Sequence, residues 1–249
     1  MISMPEPRRR LMLALALGQA LSGLPAQAET LVPLFIGTGQ PSDPTPQMLA
    51  WLATQMHLGW DYRPTPWLRA QKLTAAGEGV MYGLARTPKR ERELLFSRPI
   101  WSNYTWAVVH RGDEAAFKHY GDLAGLPICW ARGSSYGEQF AQAGLGRMQG
   151  VEATDDDGAL RMVAAGRCRA ALITLETDDL KRTLKHPALV EMQERGLALV
   201  PAPLTTTSLH FATGLHSRWT WVIERIDQVV ARSRPELDRL RVSGAASAG

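Results

Sequence analysis

Leu84-Ala85-Arg86-Thr87-Pro88-Lys89-Arg90-Glu91-Arg92-Glu93-Leu94-Leu95-Phe96-Ser97-Arg98-Pro99-Ile100 is the stretch on which the reading of this chain turns. The apolar run from Val80 to Ala85 that leads into it has strand length. Thr87-Pro88 then supplies a cap and a first helical residue, so a short helix should open with a guanidinium beside unpaired backbone amides. Such a turn attracts anions, and an arginine in it can hold a carboxylate through two parallel hydrogen bonds. The same residues allow a plainer reading, in which Arg86, Arg90 and Arg92 solvate the helix and pair with Glu91 or Glu93.

The Thr-Pro grammar occurs twice upstream. Thr45-Pro46 opens a helix whose Leu49, Leu52 and Met56 form one stripe, stopped by Gly59, and Thr65-Pro66 opens another through Trp67 and Leu73 to Gly77. Leu31 to Ile36 reads as a buried strand before Gly37-Thr38-Gly39. Downstream, Tyr104 to His110, Ile128 to Ala131 and Ala170 to Thr174 read as strands, with helices near Glu138 to Ala143 and Ala159 to Ala165 between them. This alternation predicts parallel sheets covered by helices. Leu197 to Pro201 and Ser208 to Thr213 are a further extended pair. A long amphipathic helix follows, in which Val222, Ile223, Ile226, Val229 and Val230 share a face.

A second anion-friendly element is Arg132-Gly133-Ser134-Ser135-Tyr136, just after the Ile128 to Ala131 strand. Glycine allows close backbone approach, and the serines offer hydroxyls and amides at a helix start. Capping alone would also account for them.

The 249 residues open with Arg8, Arg9 and Arg10, an apolar run from Leu11 to Leu24, and Pro25-Ala26-Gln27-Ala28. This is the grammar of a secretory signal cleaved after Ala28. Removing its three arginines and one glutamate lowers the formal charge from +4 to +2. The basic residues are scattered and not interleaved with aromatics, so no nucleic-acid partner is expected. No later segment reaches membrane-spanning length. His-Glu-x-x-His, Gly-x-Ser-x-Gly and Gly-x-x-x-x-Gly-Lys are all absent. His57, His119 and His186 sit in polar surroundings that favour solvation over metal ligation. Asp155, Asp156 and Asp157 precede a helix starting near Gly158, where capping and dipole stabilisation explain them, so no metal and no cofactor is expected. Cys129 and Cys168 are either a disulfide or two separate buried thiols.

Taken in order, several motifs resemble the family 3 extracellular solute-binding proteins, the periplasmic receptors of polar amino acid ABC importers. They are Pro66-Trp67-Leu68-Arg69-Ala70, Ala76-Gly77, Arg86-Thr87-Pro88-Lys89-Arg90-Glu91 with Phe96-Ser97-Arg98-Pro99-Ile100, Asp122-Leu123-Ala124-Gly125, and Ala165-Gly166-Arg167 before the Ala170 strand. The resemblance implies an α/β, two-lobed periplasmic binding protein-like fold of type II, each lobe a mainly parallel sheet flanked by helices. Residues 1–28 would be the signal, 29–106 and 205–241 lobe one, 107–204 lobe two, and 242–249 a disordered tail. Arg90 matches the arginine that grips the ligand carboxylate, as a solvent-lined residue with little part in packing. Gly133, Ser134 and Ser135 match the lobe-two turn that contacts the same group.

The chain departs from that pattern at Thr174, where amino acid-binding members carry an acid for the ligand ammonium, at Ala85, where a hydroxyl is usual, and at Gly79. Glu176 lies two positions beyond Thr174. Trp67, Tyr82 or Trp101 could form an apolar wall for another small anionic or aromatic solute. The expected function is therefore non-enzymatic capture of a small polar, anionic or amino acid-like solute by a periplasmic monomer. An importer permease or a membrane sensor would be its partner. The alternatives are a cyclohexadienyl dehydratase-like enzyme on the same fold, with Glu176 as the obvious carboxylate, and a ligand-free interaction module. In the implied fold Cys129 and Cys168 fall on one parallel sheet, so the resemblance also points to a disulfide between them within lobe two.

Overall fold

The computed structural model describes residues 30–38, 46–136, 140, 149–184 and 187–246. The expected signal and its cleavage site, Thr45, His186, and the helix near Glu138 to Ala143 apart from Phe140 lie outside the described residues. In chain order the strands are β1 (Thr30–Thr38), β2 (Leu58–Pro66), β3 (Val80–Ala85), β4 (Leu94–Phe96), β5 (Trp101–His110), β6 (Pro127–Ala131), β7 (Gln149–Ala153), β8 (Ala170–Leu175), β9 (Leu197–Leu199) and β10 (Thr205–Gly214). The α-helices are α1 (Pro46–Met56), α2 (Trp67–Ala75), α3 (Asp156–Ala164), α4 (Leu180–Thr183), α5 (Pro187–Glu194) and α6 (Thr220–Ala246).

The strands join in the order β2-β1-β3-β10-β5-β8-β6-β7, with β4 added to β10 and β9 to β5. Parallel pairing is confined to two trios, β2-β1-β3 and β8-β6-β7. Every antiparallel pair involves β5 or β10. The fold is thus α/β and two-lobed, two parallel units linked by a pair of crossing strands. One apolar cluster draws on residues between Trp106 and Val200, and another on Val32 to Trp101 and Leu209 to Leu237.

In the second cluster the α1 stripe of Met48, Leu49, Leu52 and Met56 meets Val222, Ile223, Ile226, Val229 and Val230 of α6. Fully burying one such side chain contributes about 1.5–3 kcal/mol. Arg225 and Arg232 of α6 donate to the carbonyls of Met56 and Gln55 at the end of α1, groups that the helix itself leaves unpaired.

Some local expectations fail for identifiable reasons. α1 stops at Met56 because His57 adopts a left-handed conformation, φ 52°, and Gly59 lies inside β2. β2 carries Pro64 and Pro66 and was not legible as a strand. It is an edge strand, where a missing amide is tolerated. The Thr65 hydroxyl does not cap α2: it donates to the carbonyl of Arg63, and the capping position is Pro66. α6 continues through Val242 to Ala246, where a disordered tail was expected, and is kinked at Ser233 ahead of Pro235.

A disulfide joins Cys129 of β6 to Cys168, two residues ahead of β8, with Cα atoms 5.9 Å apart. Parallel pairing of Cys129 with Ala171 brings the two within reach. Both cysteines are buried in the lobe-two cluster.

Candidate ligand-binding cleft

β3 ends at Ala85 alongside Leu209 of β10, and the chain turns there. Thr87-Pro88 opens only a three-residue 3-10 turn, Arg90–Arg92, in place of the expected helix. The Thr87 hydroxyl still accepts from the Arg90 amide at 3.3 Å, and the Glu91 amide bonds the Thr87 carbonyl at 3.0 Å. Arg86 points outward and pairs with Glu91 at 2.5 Å, while Arg90 turns inward. Arg86 thus fits the plainer reading of this segment, whereas Arg90 faces the other lobe.

Arg90 donates from Nε to the side-chain oxygen of Gln71 (3.1 Å), from Nη1 to the Ala85 carbonyl (2.7 Å) and from Nη2 to the Gly133 carbonyl (2.9 Å). Among the described residues it forms no ion pair with a carboxylate. Burial pulls its pKa down to about 10, so the guanidinium remains charged at neutral pH. Arg90 is half-buried, lines the open cleft and is satisfied by neutral oxygens, a state that an added anion would stabilise.

The cleft in front of it encloses about 670 Å³, counting its open mouth. Ile36, Gly37, Trp67, Tyr82, Gly83, Ala85 and Arg90 line one side and Ser134, Ser135, Thr174 and Glu176 the other. Trp101 and Asn103 of β5 and Thr207 and Leu209 of β10 line the part between. Trp67 lies against Gly37 so closely that a Cβ there would come within 2.2 Å of the indole. Tyr82 meets Trp101 edge to face at 6.0 Å and Phe211 at 4.9 Å, forming a rigid aromatic wall.

The opposite rim is the turn after β6. Gly133 has φ +78°, a conformation that side chains rarely adopt. The Ser134 amide bonds the Ala131 carbonyl, the Tyr136 hydroxyl donates to the Leu172 carbonyl of β8, and the Tyr120 hydroxyl donates to the Tyr136 carbonyl. The turn is thereby fixed to its own lobe. Burial pushes the Tyr136 phenol well above its ordinary value.

Trp67, Tyr82, Arg90, Ser134, Ser135 and Thr174 are brought together around one space, with Trp101 and Glu176. Gly133 participates differently from the expectation. Its carbonyl faces the other lobe and accepts from Trp67 Nε1 (3.1 Å), Gln71 Nε2 (3.1 Å) and Arg90 Nη2. Gln71, Asn103 and Thr207 were missed. Gln71 sits four residues after Trp67 on α2, the helical spacing that places two side chains on one face, and this was the available signal.

The acidic triplet resolves into three roles. Asp155 caps α3 by accepting from the Gly158 amide at 2.7 Å, and Asp157 pairs with Arg161 and Arg195. Asp156 is buried, neither carboxyl oxygen has a hydrogen-bond partner among the described residues, and burial followed by repulsion from Asp155 pushes its pKa up to about 8. No group of metal-ligating side chains occurs among the described residues, and His57 and His119 are exposed.

No family model matches the chain, and no curated protein matches it. Solved structures do. The GluR0 ligand-binding core in complex with L-glutamate superposes with a TM-score of 0.68 at 13% identity, covering 88% of this chain and 99% of that one. A histidine kinase sensor domain with similarity to periplasmic binding proteins gives 0.69 at 19% identity, over 86% and 95%. An amino acid ABC transporter substrate-binding protein from Streptococcus pneumoniae, bound to L-arginine, gives 0.67 at 16%, over 88% and 95%. At these identities the likeness establishes the fold, that of the periplasmic solute-binding proteins.

Proposed function

We propose that this protein is a binding protein that captures a small anionic or amino acid-like solute between two lobes. The observation that carries the reading is Arg90, a half-buried guanidinium without a carboxylate partner among the described residues, at the edge of a cleft walled by aromatic rings and hydroxyls. The solute's anionic group would meet Arg90, and its body would lie against Trp67, Tyr82 and Trp101. Ser134, Ser135, Thr174 and Glu176 would bond its polar edge from the other lobe. Lobe one in this reading is residues 29–106 with 205–241, and lobe two is 107–204. The lobes would close around the solute, and the closed shape would be read in the periplasm by an ABC importer or a membrane sensor. Likeness to an importer's binding protein and to a kinase sensor domain supports both recipients. Among the described residues no helix is long and apolar enough to cross a membrane.

Mass spectrometry of small molecules released after non-denaturing purification tests the reading directly. A co-purifying anion that raises the melting temperature of the wild type and not of Arg90→Ala is the expected result. Turnover of prephenate or arogenate by the purified protein would replace it with the enzymatic alternative.

A further inference from the structure

The Gly133 carbonyl is asked to serve three donors, all from the opposite lobe: the indole of Trp67, the amide of Gln71 and the guanidinium of Arg90. A carbonyl oxygen has two lone pairs, so the three compete. Gln71 is the member that touches both partners, accepting from Arg90 Nε and donating to Gly133. Its one amide group therefore joins the arginine's orientation to the position of the facing turn.

We propose that Gln71 is a positioning residue that couples solute capture to the strength of the hold between the lobes. Its oxygen fixes the plane of the Arg90 guanidinium, and its nitrogen, with Trp67, latches the Gly133 turn across the cleft. Arg90 has five N–H groups and commits three, leaving one on each Nη for an incoming anion. When an anion also draws Nη2 away from Gly133, the carbonyl keeps two donors for two lone pairs, both from α2. The latch then improves as the solute binds. In this picture α2 holds the lobes together before any solute arrives, and the role towards the solute rests on the reading of Arg90 given above.

The discriminating variant is Gln71→Glu. A protonated carboxyl offers one donor and one acceptor, the two bonds that the Gln71 amide uses here, whereas the ionised group only accepts. Solution scattering on the solute-free protein should therefore show Gln71→Glu as compact as wild type at acidic pH and expanded at neutral pH, while the wild type stays compact at both. A purely structural role for Gln71 predicts no such pH-dependent rescue. Gln71→Leu should be expanded at both pH values, and the amides of 133–136 should exchange about five-fold faster, the equivalent of losing about 1 kcal/mol. Should Trp67 still hold the turn when Gln71 alone is removed, Gln71→Leu combined with Trp67→Phe will expand beyond Trp67→Phe alone. The latch is overturned if Gln71→Leu matches wild type and the double variant matches Trp67→Phe in both scattering and exchange. These measurements need no solute. A latch that behaves as described in a protein whose melting temperature benzoate leaves unmoved would preserve the role of Gln71 in closure and overturn its role in capture.

Discussion

Arg90, half-buried at the cleft, and Asp156, buried in the other lobe, are ionisable groups that arrive at different charge states. Arg90 meets three oxygens that converge on its nitrogens, and burial lowers its pKa only to about 10, so it stays ionised. Asp156 meets none among the described residues, and with Asp155 beside it the carboxyl rises to about 8 and is held neutral at pH 7. The difference teaches that depth acts on a starting point: an arginine begins far above neutral pH and stays charged after desolvation, whereas a carboxyl begins below it and is carried across.

The comparison breaks most visibly at Asp156. Its folded pKa lies above the ordinary carboxyl value, so its contribution to stability is complete below about pH 4 and is lost as pH rises through about 8. Over that window roughly 3–5 kcal/mol should disappear from the unfolding free energy in urea titrations, and Asp156→Asn should flatten the slope. Cutting the Cys129–Cys168 bridge, which encloses a long loop in the same lobe, should cost on the order of 3–4 kcal/mol in denaturation with and without reductant. Arg90 should stay outside that effect, with solute affinity unchanged by reduction under conditions where the fold persists.

Arg90→Ala should weaken solute binding by about 2–4 kcal/mol in calorimetry, the loss of a charge-assisted pair. Because the Gln71 side-chain oxygen and the Ala85 carbonyl then each lose this donor, it should also lower unfolding stability by about 2 kcal/mol. Arg90→Lys should recover only part of the affinity, since an ammonium cannot reproduce the planar fork. The smallest expected effect is at high pH. Wild-type affinity for an anion should begin to fall once pH passes about 10, about two units earlier than for an exposed arginine.

The elements legible in the sequence were those whose signal is local. β3 spans Val80 to Ala85 as read, β6 and β8 differ from the reading by a residue, and the α1 stripe packs inward. What escaped depended on neighbours far along the chain. β2 is a strand only because β1 pairs with its full length, and a Thr-Pro step opens a helix only where the following residues have a surface to pack on, which Lys89 to Glu93 lack. The cleft shows the same division. Arg90 and Gly133-Ser134-Ser135 could be singled out from their own segments. Which atoms of Gly133 would matter could not, because its carbonyl acquires its role from α2 on the other lobe. Asn103 and Thr207 carry no motif and reach the cleft only because β5 and β10 cross between the lobes.

That crossing also governs how the chain can assemble. β3 pairs through Met81 to Ala85 with Leu209 to Ala212, and β5 pairs through Trp101 to Thr105 with Thr205 to Leu209, so β10 fills a slot prepared by segments made more than 95 residues earlier. Until it arrives, one edge of each waiting strand is an open template for other chains. Pairings this distant in sequence slow folding, because ordering the intervening chain precedes the contacts that reward it. Lobe two draws its apolar cluster from one continuous run, Trp106 to Val200, and can consolidate first. Lobe one becomes complete only with β10, which makes the last strand of the chain the gatekeeper of its kinetic fate.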